Sequence, residues 1–178
     1  MVNKYLIQTI QNKYGNEKWG KISSKIATLP QFIQSEQYSD DFTYSIIAET
    51  LKEIGIDANN LLEMLGEGWI TETSQGCFGN YYELYGSSIF TFLQNLDNMH
   101  AALGNQMNKM LPPSFICKQI DSNIIYVRYI STRPGLTYFV KGLLKGLCEM
   151  FNHPSTIEIK SSHAKGTHYD ELLINKAL

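Results

Sequence analysis

The sequence predicts an α+β protein, in which an N-terminal helical lobe is followed by a C-terminal lobe of four-stranded antiparallel sheet with one or two helices. Two observations predict this class. Apolar residues recur at spacings of three and four as far as Met107, which is the period of amphipathic helices. From Phe115 onwards the pattern changes to short runs of β-branched and aromatic residues, which are typical of paired strands.

The N-terminal half predicts a succession of amphipathic helices. Gly15 supplies a stop after the first helix, and Gly55 ends a later one whose N-terminus is capped by Ser39. The stretch 66–85 is rich in glycine and aromatic residues, so only short helical pieces are expected there. The predicted helices cover about 2–14, 16–26, 40–54 and 57–65.

The most strongly patterned helix begins at Ser88 and is expected to end before Pro112 and Pro113. Its apolar stripe contains a histidine, His100, which stands among aliphatic and aromatic residues. The stripe consists of Ile89, Phe92, Leu93, Leu96, His100, Leu103 and Met107.

The C-terminal part predicts the order ββαββ. The strands Phe115–Ile120 and Asn123–Ser131 are joined by a turn at Asp121 and Ser122. A helix follows, with an apolar stripe of Leu136, Phe139, Val140, Leu143, Leu144 and Leu147. The second pair comprises a strand around Ile157 and Ile159, a turn at Lys165 and Gly166, and a return strand over His168–Ile174.

The composition excludes several classes of protein. The chain has 178 residues, a formal net charge of −2 and only two arginines, Arg128 and Arg133, so it lacks the basic face of a nucleic-acid-binding protein. No apolar run approaches the roughly 18 residues of a membrane span. The three cysteines include no C-x-x-C pair, so neither a disulfide framework nor a zinc ribbon is indicated. These features favour an unanchored cytoplasmic protein.

His100 is the first candidate for chemistry, because burying an imidazole costs free energy unless its nitrogens find partners. One interpretation is a core histidine that is hydrogen-bonded to a backbone carbonyl or to Asp97. The other is axial ligation of a metal or haem iron, since a neutral imidazole offers a lone pair and the apolar stripe would pack against a porphyrin.

A second pattern would suit the propionates of a haem. The spacing Y-x-S-x-R places two hydroxyls and a guanidinium at alternate positions, so an extended backbone would point all three the same way. Arginine can hold a carboxylate through two hydrogen bonds, and hydroxyls can donate to the remaining lone pairs. The alternative interpretation is a solvated strand face. The three residues are Tyr129, Ser131 and Arg133.

At these residues the chain resembles the H-NOX family, the haem nitric oxide/oxygen binding domain that also forms the sensor of soluble guanylate cyclase. The resemblance spans essentially the whole chain and includes the ββαββ order of the tail. The segments that carry it are Val2–Gly15, Phe92–His100, the proline-containing turn Leu111–Phe115, and Tyr129, Ser131 and Arg133.

The resemblance implies one H-NOX domain over 1–178, with a helical lobe over about 1–65 and a haem-holding lobe over about 66–178. It implies that His100 is the metal ligand of ferrous haem b, and that Pro113 presses on a pyrrole and distorts the porphyrin. NO bound on the distal side would weaken or break the iron–His100 bond and let the helix relax. The propionates would be held by Tyr129, Ser131 and Arg133.

The distal pocket decides whether O2 competes with NO, because bound O2 is held by a hydrogen-bond donor. Counting without a gap places Tyr138 at the distal position of the O2-binding members. The longer loop of the guanylate-cyclase-like members places Phe139 there, and this register agrees with the apolar stripe. Trp69 is either an aromatic wall or a weak donor. Further cofactor contacts are expected from Val2, Leu6, Leu96 and Leu143.

The leading hypothesis is therefore a non-enzymatic sensor that binds NO and CO. No cyclase, kinase or methyl-acceptor module is expected on the chain, so the signal would pass to a separate histidine kinase or cyclic-di-GMP enzyme. The main alternative is an O2 sensor or storage protein that uses Tyr138. Haem-dependent redox catalysis lacks a recognisable distal acid–base pair, and an apolar carrier would leave His100 and Arg133 unexplained. Cys117 is expected to be a core residue, with a redox role as the alternative.

Overall fold

A computed structural model of the chain describes residues 2–27, 29–32, 38–76, 78–104, 112–162 and 169–177. The chain folds into two compact units, Met1–Leu61 and Leu62–Leu178. The division into functional lobes at about residue 65 stays a prediction. Within the described ranges, no helix is both long and apolar enough to cross a bilayer.

The first unit contains helices α1 (Val2–Ser23) and α2 (Asp40–Ile54). The predicted stop at Gly15 is confirmed, because this residue has φ 86° and ψ 160° and divides α1 into two helical parts. The predicted caps of α2 are also confirmed. Ser39 Oγ accepts the N–H of Asp41, and Gly55, at φ 73°, closes the helix.

The second unit contains four helices and the sheet. These are α3 (Ala58–Gln75, which begins in the first unit), α4 (Gly79–Tyr85), α5 (Ile89–Gly104) and α6 (Thr137–Met150), with strands β1 (Ser114–Gln119), β2 (Ile124–Ile130), β3 (Ser155–Ser161) and β4 (Asp170–Lys176). The strands form one antiparallel sheet in the order β1-β2-β4-β3. The α+β class and the ββαββ tail are therefore confirmed.

One prediction about the helices was wrong. Residues 66–75 continue α3 rather than forming short separate pieces. The glycine at 66 does not break the helix, because its missing side chain is needed for close packing: a Cβ there would lie 2.0 Å from the carbonyl oxygen of Phe139 in α6. The predicted extension of α5 to Met107 and the turn at Lys165 and Gly166 lie outside the described residues.

The core of the second unit lies between one face of the sheet and the helices. Alternate residues of β2 and β4 point into it, because side chains of a strand alternate between the two faces. Helices α5 and α6 contribute the facing stripes that the sequence predicts. The most deeply buried members are Ile89, Phe92, Leu93, Val127, Val140, Leu144, Leu172 and Ile174.

Candidate functional site

His100 lies in the last half of α5, on the same side of the helix as the buried Leu96 and Leu103. Its Nδ1 is buried and has no hydrogen-bond partner among the described residues. Burial lowers the pKa of His100, although the charge of Asp97 and a hydrogen bond to the backbone of Pro113 act in the opposite direction. The ring is therefore neutral near pH 7, which is the form that can donate a lone pair to a metal.

Asp97 is a residue of this site that the sequence analysis considered only as a partner of His100. Its Oδ1 accepts the backbone N–H of Phe115 at 3.0 Å, and its Oδ2 accepts the hydroxyl of Ser114. The carboxylate therefore joins α5 to the start of β1 instead of binding the imidazole. The only signal in the sequence is its position one helical turn before His100.

Aromatic rings connect His100 with the inner face of the sheet. The Phe115 ring centroid lies 6.4 Å from that of His100 and 5.2 Å from that of Tyr129. Tyr129 is only 5% exposed, on the buried face of β2. The structure thus brings together the predicted iron ligand and one of the three predicted propionate-binding residues.

The extended backbone predicted from Tyr129 through Arg133 was wrong in its second half. Strand β2 ends at Ile130, and the chain then bends, with the N–H of Arg133 donating to Ser131 Oγ at 3.1 Å. Pro134 follows and cannot donate to a sheet ladder, which favours a loop here. Ser131 and Arg133 are both half-buried in this loop.

The second arginine, Arg128, has a structural role. It lies on the other face of β2, where it pairs with Glu171 at 2.9 Å and stacks over the ring of Tyr169, with its Cζ 4.1 Å from the ring centroid. Its charge is therefore matched within the sheet.

The predicted distal residues lie on two packed helices. Trp69 on α3 and Leu143 on α6 are partly buried against the core, and Phe139 is half-buried near the start of α6. Tyr138 lies beside Lys141, whose Nζ is 5.8 Å from the centre of the phenol ring. The neighbouring residues Tyr138 and Phe139 thus leave the helix in different directions.

The remaining candidates are placed as follows. Val2 and Leu6 belong to the first unit, where Leu6 is buried and Val2 is exposed, and their part in a pocket stays a prediction.

Cys117 lies half-buried on β1, and burial together with the charge of Asp97 raises its pKa to about 12. Its thiol is protonated at neutral pH, which favours the interpretation as a core residue. His163 and His168 lie outside the described residues.

These residues fit a haem. A buried imidazole nitrogen without a partner, next to the apolar side chains of α5, suits an axial ligand. The described residues contain no group of three or more His, Cys, Asp or Glu side chains that could hold a metal ion.

Comparisons with known proteins identify the family. The model of the Haem-NO-binding family matches residues 1–159. Among curated relatives, the soluble guanylate cyclase gcy-32 of Caenorhabditis elegans is 23% identical over 172 residues, which cover 94% of this chain but only 25% of the relative. Gcy-37 of the same organism is 28% identical over 140 residues, which cover 76% of this chain and 20% of the relative. The chain thus spans about a quarter of the length of these cyclases.

Solved structures agree in fold. An H-NOX protein from S. oneidensis in the Fe(II)NO ligation state superposes with a TM-score of 0.88 at 16% identity, covering 99% of this chain and 98% of the other. The Fe(II) unliganded H-NOX protein from K. algicida superposes with a TM-score of 0.85 at 16% identity, covering 99% and 95%. From the extent of the family match, the chain belongs to the Haem-NO-binding, or H-NOX, family.

Proposed function

We propose that the chain is a haem-based sensor of nitric oxide, and that His100 is the axial ligand of a b-type haem. The observation that carries this proposal is the buried and unpartnered Nδ1 of His100 on an otherwise apolar helix face. A buried imidazole nitrogen left without a partner costs free energy, which binding to a metal would offset.

The residues around His100 would hold the rest of the cofactor. Leu96 and Pro113 would lie against the proximal side of the porphyrin, and Trp69, Phe139 and Leu143 would form apolar walls on the distal side. Val2 and Leu6 are proposed as further pocket residues from the family resemblance. When bound, ferrous haem would supply the iron at which NO and CO bind. The propionates would be held by Tyr129, Ser131 and Arg133.

His100 would also transmit the signal. It stands on α5, which Asp97 fastens to β1, so loss of the iron–His100 bond would leave the helix held by protein contacts alone. A shift of α5 against the sheet would then change the surface that a partner recognises. We propose a histidine kinase or a cyclic-di-GMP enzyme as that partner. A cytoplasmic location is supported by the free thiols of Cys117 and Cys148.

The choice of gas depends on α6. The Tyr138 ring lies next to Lys141, whereas Phe139 is on the stripe that continues to Leu143. This arrangement supports a distal pocket without a tyrosine donor, which would bind NO and CO and disfavour O2. An O2 sensor that uses Tyr138 is the second candidate, and it would require a rotation of α6 by roughly a quarter turn.

Absorption spectra of the reduced protein with and without NO test the proposal. The wild-type protein should show a ferrous haem band that shifts when NO is added. His100→Gly should lose the native band and regain it with added imidazole, because the small ligand replaces the missing side chain. If His100→Gly kept the native spectrum without imidazole, another residue would be the ligand and the proposal would be wrong.

Exposure of the reduced protein to air distinguishes a sensor of NO from a sensor of O2. We expect no stable oxygen complex in the wild-type protein, and a measurable one in Phe139→Tyr, because the variant supplies a donor on the pocket side of α6. Tyr138→Phe should behave as the wild type does and form no stable oxygen complex, and adding it to Phe139→Tyr should leave the oxygen complex of that variant intact. A stable oxygen complex in the wild type that disappears in Tyr138→Phe would establish the O2 sensor instead.

A further inference from the structure

Helices α3 and α6 pack backbone against backbone along a seam that glycines permit. A Cβ at Gly66 would lie 2.0 Å from the carbonyl oxygen of Phe139, and a Cβ at Gly142 would lie 2.0 Å from that of Glu63. A Cβ at Gly146 would lie 2.9 Å from the carbonyl oxygen of Glu67. The two helices therefore cannot come closer along this line of contact, which can act as the pivot of a tilt between them.

One edge of the seam is closed by ion pairs. Glu63 accepts Lys141 at 2.8 Å on Oε2 and Lys145 at 3.0 Å on Oε1, and Lys145 also lies 3.2 Å from Glu67. The side chains of Glu63 and Lys141 are only 18% and 25% exposed, so this pair is less screened by water than a surface ion pair. Glu63 is the member that binds both lysines.

The opposite edge of the seam carries the proposed pocket residues. Successive residues of an α-helix are rotated by about 100°, so on α6 the glycines lie between the lysines on one side and Phe139 and Leu143 on the other. On α3, the same rotation places Gly66 between Glu63 and Trp69. The charged edge and the pocket edge are thus the two sides of one line of contact.

We propose that Glu63 is a positioning residue for the gas-binding pocket. By closing the charged edge of the seam, it sets how far Trp69 and the Phe139–Leu143 side stand apart on the pocket edge. This inference rests on the proposed function, because it assigns a ligand to that pocket. It does not depend on which diatomic gas is bound.

Tryptophan fluorescence of the haem-free protein tests the seam itself. The chain has two tryptophans, so Trp19→Phe leaves Trp69 as the reporter. Glu63→Gln, which keeps the shape but removes the charge, should shift the Trp69 emission and increase its quenching by acrylamide about twofold. Lys141→Met, which removes one of the two ion pairs of Glu63, should give a smaller change in the same direction.

Glu53 provides a matched control. It also binds two lysines, Lys25 at 3.0 Å and Lys18 at 3.5 Å, with a side chain 15% exposed, but it lies in the first unit. Glu53→Gln therefore loses a similar ion pair that is not part of the seam, and it should leave the Trp69 emission unchanged. Equal effects of both variants, or an unchanged emission in Glu63→Gln, would overturn the proposal.

Carbon monoxide binding to the reduced, haem-loaded protein tests the connection to the pocket. We expect Glu63→Gln to change the CO association rate about two- to fivefold and Glu53→Gln to leave it unchanged. If the wild type shows no haem spectrum with CO, the proposed function fails. If the wild type binds CO and Glu63→Gln binds it at the wild-type rate, the function stands and the role of Glu63 is wrong.

Discussion

The α5–β1 region and the α3–α6 seam differ in whether their buried polar groups have partners. In the seam, Glu63 and the lysines of α6 are matched, and glycines bring the backbones into direct contact. At the end of α5, a buried imidazole nitrogen has no partner in the described part of the chain. The difference indicates where a ligand would be stabilising, because of these two regions only the α5–β1 region has, among the described residues, a buried polar atom without a partner.

The largest expected effect lies in the seam. Gly142→Ala would place a Cβ 2.0 Å from the carbonyl oxygen of Glu63, and neither helix backbone can move away without disturbing the core. We expect a loss of about 3 kcal/mol or more in the free energy of unfolding, measured by denaturant titration.

The control for this prediction is another glycine inside a helix. Gly20 in α1 has no atoms within 4 Å of a built Cβ. Gly20→Ala should therefore stabilise the protein by about 0.5–1 kcal/mol, through helix propensity alone. If both variants lost stability equally, close packing of the seam would not be the cause.

The second prediction is that replacing His100 by leucine stabilises the haem-free protein, whereas the same replacement of His153 destabilises it. In the haem-free protein, His100→Leu should raise the free energy of unfolding by about 1–2 kcal/mol, because a buried nitrogen without a partner is replaced by an apolar side chain. His153 provides the contrast, since its Nδ1 lies 2.7 Å from Ser155 Oγ. His153→Leu should cost about 1 kcal/mol by thermal or chemical unfolding. A destabilised His100→Leu variant would indicate that the hydrogen bond of the imidazole to the backbone of Pro113 outweighs the cost of its unpartnered nitrogen.

These contrasts also explain which parts of the site were predictable. His100 could be identified because a polar residue interrupts an apolar period, and a period is a property of the sequence. The ββαββ order and the caps at Ser39 and Gly55 depend on neighbouring residues in the same way. Such local rules need no knowledge of what packs against the element.

The errors arose where the answer depends on distant residues. Gly66 was expected to interrupt a helix. A glycine is needed there because the backbone of Phe139, 73 residues later in the sequence, leaves no room for a Cβ. Arg133 was expected on an extended strand, but the chain bends after Ile130. Asp97 was noted only for its nearness to His100, because nothing local shows that Ser114 and Phe115 would bind it.

The third prediction tests whether the hydrogen bonds of Asp97 or its negative charge join α5 to β1. Asp97→Ala should lower the free energy of unfolding of the haem-free protein by about 1 kcal/mol, since the exposed carboxylate loses two hydrogen bonds to β1. Asp97→Asn keeps a carbonyl oxygen for the N–H of Phe115 and an amide for Ser114, so its stability should remain near that of the wild type. Hydrogen exchange at the Phe115 amide should accelerate in Asp97→Ala only. If exchange at the Phe115 amide accelerated equally in both variants, the charge rather than the hydrogen bonds of Asp97 would join α5 to β1.

The smallest expected effect concerns the pH dependence of the seam. Burial raises the pKa of Glu63, but hydrogen bonds and charges of Lys141 and Lys145 outweigh it, so the pKa lies below its usual value of 4.5. The folded protein therefore holds Glu63 ionised more strongly than the unfolded chain does. This contribution to stability is complete above the unfolded pKa and is lost as the pH falls through 4.5 towards the folded value. Between about pH 6 and pH 3, wild-type protein should lose more free energy of unfolding than Glu63→Gln. Parallel pH profiles would mean that the lysines do not stabilise the carboxylate, and the closed edge of the seam would then have to depend on the glycine contacts alone.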